Sequence, residues 1–216
     1  MLLDRRKVKF WQRIVFGGMA FLMAAFLVVG YSGVLNGCSF MGAAQSATEQ
    51  INADIAKYKA AATANPDDPA AWRSLAENYV FRANQQVAAS AAETADLAQA
   101  AKYYGRADKV LAQKKGAQAK RLRLDTLDQL VNVYLSMQDY QAALGVYNKI
   151  TAFRPKDAQG FFNMATVALS AGDANTAILA FKKFLKLDPS SPDAPAVRDW
   201  LAQNVPSPSP TKGSAQ

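Results

Sequence analysis

Histidine is absent from this 216-residue sequence, and cysteine occurs only once, as Cys38. The missing histidine excludes catalytic triads and bases built on imidazole, and zinc sites of the HExxH type. A single cysteine excludes an internal disulfide and a CxxC metal or redox pair. A glycine-rich phosphate loop is also missing, and the aspartates mostly lie beside prolines or in turns, where they cap helices. We therefore expect no enzymatic activity, no cofactor and no metal site.

The formal net charge of +8 is unevenly distributed. Residues 1–38 carry +4, residues 39–101 carry −3, residues 102–123 carry +7, and residues 124–216 are neutral. The basic character therefore comes from the N-terminus and from one internal stretch rather than from the chain as a whole. The basic side chains of that stretch are Lys102, Arg106, Lys109, Lys114, Lys115, Lys120, Arg121 and Arg123.

A long uncharged segment near the N-terminus predicts a membrane span. Residues 14–35 form an apolar run of 22 residues. As a helix the run would extend about 33 Å, enough for a hydrocarbon core of about 30 Å. Five basic side chains precede the run, and this bias places residues 1–13 in the cytoplasm. We predict a signal anchor over 14–35, a short linker over 36–47 and an extracytoplasmic domain on a bacterial cell membrane.

Two other interpretations of the N-terminus remain open. The sequence Leu35-Asn36-Gly37-Cys38 resembles a bacterial lipobox, in which Cys38 would be lipidated and become the mature N-terminus. A cleaved signal peptide is the third interpretation, although its apolar region is normally only about 7–15 residues long. The anchor and the lipoprotein both predict a tethered extracytoplasmic domain. An intact Met1 on the mature protein would exclude the lipoprotein.

The rest of the chain repeats itself every 34 residues. Ala143 aligns with Ala177, and Pro155 aligns with Pro189. Apolar residues coincide at helical spacing on both sides of a turn, and the proline ends the second helix. This pattern predicts two helix–turn–helix units over 124–157 and 158–191. We also predict a half repeat over 48–68, a repeat with an insertion over 69–112, a capping helix over 193–203 and a disordered tail over 204–216.

The insertion in the first full repeat covers residues 84–95. Its sequence is rich in alanine and glutamine and has neither glycine nor proline. Residues of this kind favour helix. We therefore expect the insertion to lengthen the two helices of its repeat rather than to form a loop.

A helix–turn–helix unit of this length resembles the tetratricopeptide-repeat (TPR) family. Ala165 and Ala177 match its small residues, Gly172 its turn glycine, Phe181 its aromatic residue and Pro189 its closing proline. The resemblance implies an all-α solenoid in which stacked helix pairs bury their apolar faces, here preceded by one transmembrane helix.

The resemblance also implies a groove that is lined by the first helices of successive repeats and takes a peptide or a partner segment. The matching positions in this chain are Arg73, Glu77, Val80, Asp125, Asp128, Asn132, Leu135, Phe162, Asn163, Thr166 and Leu169. These residues are acidic in the middle repeat and partly apolar in the last one. An extended peptide with one basic and one apolar residue would suit such a groove.

The basic stretch allows several readings. Lys102, Arg106 and Lys109 are spaced to share one helical face. The stretch could contact anionic lipid headgroups or an acidic partner, or it could be a solvated face without a partner. Nucleic acid is disfavoured by the predicted extracytoplasmic location. The sequence as a whole predicts a non-catalytic, membrane-tethered TPR scaffold for an envelope complex, or alternatively a holdase for unfolded or apo-protein clients.

Overall fold

A computed structural model describes residues 39–205 of the chain, and their side chains from residue 47 onward. The predicted span over 14–35, Cys38 and nearly all of the predicted tail over 204–216 lie outside these residues. Contacts divide the chain into two units, Met1–Gln50 and Ile51–Gln216. In the first unit the described residues, 39–50, are helical.

Residues 39–205 form eight α-helices and no β-strand. Of the helices in this range, none combines the length and the apolar character that a bilayer crossing demands. The all-α fold class predicted from the sequence is confirmed. The helices are α1 (Ser39–Ala64), α2 (Pro69–Ala83), α3 (Ala91–Gln113), α4 (Ala117–Ser136), α5 (Tyr140–Phe153), α6 (Ala158–Ser170), α7 (Ala174–Leu187) and α8 (Ala194–Asn204).

From α2 to α8 each helix packs mainly against the next helix in the chain. Two clusters of buried residues form the core, one around α1 to α5 and the other around α5 to α8. Tyr134, Leu135 and Tyr147 pack against both clusters and join them. Buried alanines, including Ala76, Ala143 and others, let neighbouring helices approach closely. Contacts between successive helix pairs are the pattern expected for a stack of repeats.

Aspartates at the helix starts keep the 34-residue period. Asp139 accepts a hydrogen bond from the Ala142 amide at 3.0 Å, and Asp173 accepts one from the Thr176 amide at 3.0 Å. Each satisfies a backbone donor that the first turn of a helix leaves without a partner. The residues directly before these aspartates, Gln138 and Gly172, share a left-handed backbone conformation, with φ angles of 56° and 74°. The turn therefore needs a left-handed residue, which glycine supplies more easily than glutamine.

The prediction for the inserted residues 84–95 was wrong in one respect. Helix α3 is long, at 23 residues, but α2 ends at Ala83 and residues 84–90 form a loop. Ser90 accepts from the Glu93 amide at 3.1 Å, and the Glu93 carboxylate accepts from the Ala89 amide. This reciprocal capping box fixes the helix start after Ser90. It overrides the helix propensity of the residues before it.

The bounds of three other elements also differ from the predictions. The linker expected over 36–47 is helical from Ser39 onward, because residues 39–47 lack proline and contain three alanines. Helix α4 begins at Ala117, seven residues before the predicted repeat start at 124, so the residues that follow α3 lengthen α4. The capping helix runs from Ala194 to Asn204, one residue later at each end than predicted.

Two buried carboxylates on α3 connect it to four other helices. Arg82 donates from Nε and Nη2 to Asp96 at 2.8 and 2.6 Å, and from Nη1 to Asn52 Oδ1 at 2.8 Å. Asp108 accepts from Arg123 Nε at 2.5 Å and from Lys149 Nζ at 2.7 Å. The residues Asp96 and Asp108 are only 6% and 3% exposed. Such charges remain ionised inside a protein only when paired.

Burial by itself would raise the pKa of Asp108, but the hydrogen bonds from Arg123 and Lys149 outweigh it and hold the pKa below its usual range. We expect Asp108→Asn to lower the free energy of unfolding at pH 7 by about 2–3 kcal/mol, since both cations lose their counter-ion. Urea unfolding followed by circular dichroism measures this loss. The matched control is Asp67→Asn at an exposed site, which should change the value by less than about 0.5 kcal/mol.

The pH dependence of unfolding tests whether the missing charge causes the lower stability of Asp108→Asn. A depressed folded-state pKa stabilises the fold fully above the ordinary aspartate pKa of about 3.9, and the stabilisation disappears as the pH falls below it. The difference between the wild type and Asp108→Asn should therefore shrink in acid. If the difference in free energy of unfolding stays constant down to about pH 3, the loss in Asp108→Asn comes from altered packing and not from the missing charge.

Candidate partner-binding surfaces

The predicted groove residues lie on the first helix of each successive pair, namely α2, α4 and α6. None of them is fully buried, and each is half-buried or exposed. Thr166, Asp125, Asn132, Glu77 and Leu169 are the exposed ones. The groove positions are therefore accessible to a partner.

The α2 part of the groove carries a weakly paired arginine. Arg73 Nη2 lies 3.7 Å from Glu77 Oε1, one helical turn away, and Arg73 Nε is buried without a hydrogen-bond partner. Below them Tyr104 is buried, and burial together with the negative charge of Glu77 raises its pKa to about 12. Tyr104 is therefore a neutral, structural side chain at physiological pH. Glu77 offsets the charge of Arg73, so the α2 part of the groove has little net charge.

A half-buried carboxylate occupies the middle of the groove. Burial raises the pKa of Asp128, the nearby charge of Arg154 lowers it, and the charges of Asp125 and Asp157 raise it further, so that the net shift is upward. Among the hydrogen bonds and ion pairs of residues 47–205, none involves the Asp128 side chain. Burial and the charge of Asp128 also raise the pKa of Tyr147. The middle of the groove thus holds negative charge that its own surroundings do not fully satisfy.

This raised pKa predicts a stabilising substitution. An aspartate with a raised folded-state pKa costs stability at neutral pH, and the cost vanishes once the side chain is protonated. We expect Asp128→Asn to raise the free energy of unfolding by about 0.5 kcal/mol at pH 7, the scale of interactions between partly exposed charges. The gain should disappear near pH 3. Urea unfolding at both pH values tests this, with exposed Asp199→Asn as the control. A destabilised Asp128→Asn would mean that Asp128 has a structural partner.

Aromatic packing limits the α6 part of the groove. The Phe162 ring lies 5.8 Å from Phe181 and 5.2 Å from Phe184, between ring centroids, and Phe181 lies 5.3 Å from Trp200. Phe162 is thus largely a core residue, and only part of its side chain is available to a ligand. Leu169 is 38% exposed and offers the freer apolar contact. Sequence reasoning did not separate these two roles, because both residues occupy groove-facing helical positions.

The predicted basic patch loses one of its eight members. Arg123 is the half-buried partner of the buried Asp108, and its guanidinium also lies 4.9 Å from the Phe153 ring centroid. The other seven side chains are exposed. Two of them cover aromatic rings, with the Arg106 guanidinium 4.7 Å from Trp72 and Lys102 Nζ 5.7 Å from Tyr103. We call these seven the basic surface: Lys102, Arg106, Lys109, Lys114, Lys115, Lys120 and Arg121.

Sequence reasoning missed the residues that surround Asp128. Arg154 ends α5 and Asp157 caps α6, where it accepts from the Gly160 amide at 3.1 Å. Helix-capping patterns predict such positions, but not that the caps of two helices approach a side chain on a third. For metals, the part of the chain described by the structure contains no group of carboxylates and cysteines that could hold an ion.

Known proteins resemble this chain in structure and not detectably in sequence. No family model matches the sequence, and no curated protein matches it. The chain is similar to a solved structure of MamA, with a TM-score of 0.46 and 15% identity over 74% of this chain and 87% of that one. Tetratricopeptide-repeat proteins are among the solved structures to which the chain is similar.

Two other TPR-like structures align with the chain. The APC/C hetero-tetramer Cut9–Hcn1 gives a TM-score of 0.40 and 14% identity, over 74% of this chain and 40% of that one. YrrB, described as a TPR protein with an unusual peptide-binding site, gives a TM-score of 0.27 and 15% identity, over 71% of this chain and 86% of that one. At these identities the likeness concerns the fold.

Proposed function

We propose that this TPR chain is a non-catalytic interaction protein that holds an extended segment of a partner in the groove along α2, α4 and α6. The observation that supports this best is Asp128, a half-buried carboxylate without a hydrogen bond or ion pair. Its raised pKa indicates that the free protein bears an electrostatic cost at this position. A cationic side chain from a partner would remove that cost.

The groove chemistry defines the class of segment. A lysine or arginine of the partner pairs with Asp128, close to Asp125 and Asp157, and an aliphatic or aromatic residue packs on Leu169. Between these subsites lie the exposed amide of Asn132 and the half-buried Asn163. Asn163 accepts through Oδ1 from Gln159 Nε2 at 2.9 Å, which leaves its NH₂ group free to donate. Such amides suit the backbone of an extended peptide.

The location of the protein is part of the proposal. The apolar run over 14–35 and its preceding basic residues support a single membrane span, with the repeats on the extracytoplasmic side. In this place the protein acts as a scaffold or assembly subunit of a bacterial envelope complex. The mass of the mature N-terminus distinguishes an intact signal anchor from a chain that begins at a lipidated Cys38. Protease accessibility in spheroplasts reports the side on which the repeats lie.

Crosslinking in intact membranes tests the groove. Full-length protein is crosslinked, purified in mild detergent, and its partners are quantified by mass spectrometry. Asp128→Lys should reduce the main partner at least about tenfold, because charge reversal replaces attraction by repulsion, a change of about 1.4 kcal/mol or more. The matched control is Asp199→Lys, an exposed charge reversal on α8. Equal recovery with both variants would contradict the groove assignment.

Two exposed apolar side chains favour a second function, that of a holdase for unfolded clients. In and beside the loop over 84–90, Phe81 is 53% exposed and Val87 is 79% exposed. Exposed apolar surface can mark a site of protein–protein contact. The full-length protein would then suppress the aggregation of a reduced, unfolding client, and a Phe81→Ser, Val87→Ser double variant would lose that effect. Suppression that persists in the double variant would refute this role for the loop.

A further inference from the structure

The basic surface contains seven cations without a carboxylate partner. Asp108 is the only acidic residue between 102 and 123, and Arg123 and Lys149 already occupy both of its oxygens. Of the ion pairs found among residues 47–205, none includes a member of the basic surface. A cluster of like charges repels itself, so an anionic partner is the natural way to offset it.

The turn that joins α3 and α4 projects from its neighbours. Arg106 lies over Trp72, so the end of α3 extends past the start of α2 at Pro69. Arg123 lies over Phe153, the last residue of α5, so the first turns of α4 extend past α5. Residues 112–118, 120 and 121 are all exposed. The turn residues of the basic surface, Lys114, Lys115, Lys120 and Arg121, therefore lie on a solvent-exposed end of the helix stack.

The start of α4 differs from the starts of other helices in the stack. Helices α2, α3, α5, α6 and α7 each begin at an aspartate or serine that caps the backbone. Helix α4 follows Gly116, which has no side chain to cap it, and Lys120 and Arg121 lie within its first turns; the start of α8 also has no side-chain cap. Cations there oppose the helix dipole. The basic residues at this turn are thus not explained by the stability of the helix that carries them.

The chemistry of the surface selects among anionic partners. Residues 105–122 contain no aromatic side chain, and their two leucines are buried, in the case of Leu111, or half-buried, in the case of Leu122. Single-stranded nucleic acid would find no ring on which to stack, and a peptide would find no apolar pocket. An exposed surface of mostly lysine suits the diffuse negative potential of an anionic bilayer, where each cation adds to the attraction.

A bilayer is also the partner most available to this chain. Ile51, where the second unit begins, follows Leu35 of the apolar run by 16 residues. If the run is inserted, the tether keeps the basic surface close to headgroups at a high effective concentration. We propose that the basic surface binds anionic lipid headgroups by electrostatic attraction alone, without inserting apolar side chains.

Photocrosslinking at the turn tests this proposal in the full-length chain. Benzoylphenylalanine replaces Gln113, an exposed residue at the end of α3. The protein is mixed with vesicles of phosphatidylcholine alone or enriched in phosphatidylglycerol, and lipid adducts on this segment are counted by mass spectrometry. We expect at least about a threefold higher adduct yield with the anionic vesicles. The yield should return to the neutral-vesicle value in about 1 M salt, where the Debye length is about 3 Å.

Charge-matched variants assign the effect to the turn. The variant Lys114→Gln, Lys115→Gln, Lys120→Gln, Arg121→Gln should lose the lipid preference. Its control removes four other exposed cations: Lys59→Gln, Lys156→Gln, Lys182→Gln, Lys186→Gln. Equal yields with both kinds of vesicle would overturn the proposal, as would an equal loss in the control. Adducts that shift to added polyglutamate in the presence of anionic vesicles would assign the surface to an acidic protein instead.

Discussion

The fold depends on the pairing of charge inside the helix stack. Asp96 and Asp108 lie on the long helix α3, and each requires a cation from a different neighbour. A buried carboxylate without such a partner would be very costly. The two ion clusters therefore fix how α1, α2, α4 and α5 are placed around α3. Apolar packing is compatible with small shifts between helices, whereas hydrogen bonds of 2.5–2.8 Å are not.

Much of the architecture follows from sequence patterns of short range. The 34-residue period, the small residues that are now buried and the aspartate caps are local features, and the structure shows them at the predicted phase. Ser90 and Glu93 have the spacing of a capping box, which indicates a helix start after Ser90. The alanine-rich composition of residues 84–95 favours continuous helix instead, and that propensity alone does not predict the loop over 84–90. The ion clusters join residues 14, 15 and 41 positions apart. A search for a fixed repeat period has no means of detecting such separations.

The candidate surfaces also combine features that local sequence patterns predict with features that depend on contacts between distant residues. The groove positions that the TPR resemblance implies lie on the first helix of each pair, and each of them is half-buried or exposed. Helical periodicity does not reveal that Phe162 packs on Phe181 and Phe184, because that depends on the neighbouring pair. Arg123 and its seven basic neighbours look alike in the sequence, yet Arg123 is committed to Asp108. The chemical roles of side chains on a repeat stack are decided by contacts that the repeat pattern does not encode.

The order of contacts along the chain has a mechanical consequence. Since each helix from α2 onward packs mainly on the next one, load applied to one end passes through the pairs in series. The pairs near α3 are reinforced by the ion clusters, whereas no ion pair reinforces the described helices from α6 to α8. Under tension the C-terminal pairs should therefore yield first, and the part near the ion clusters should persist.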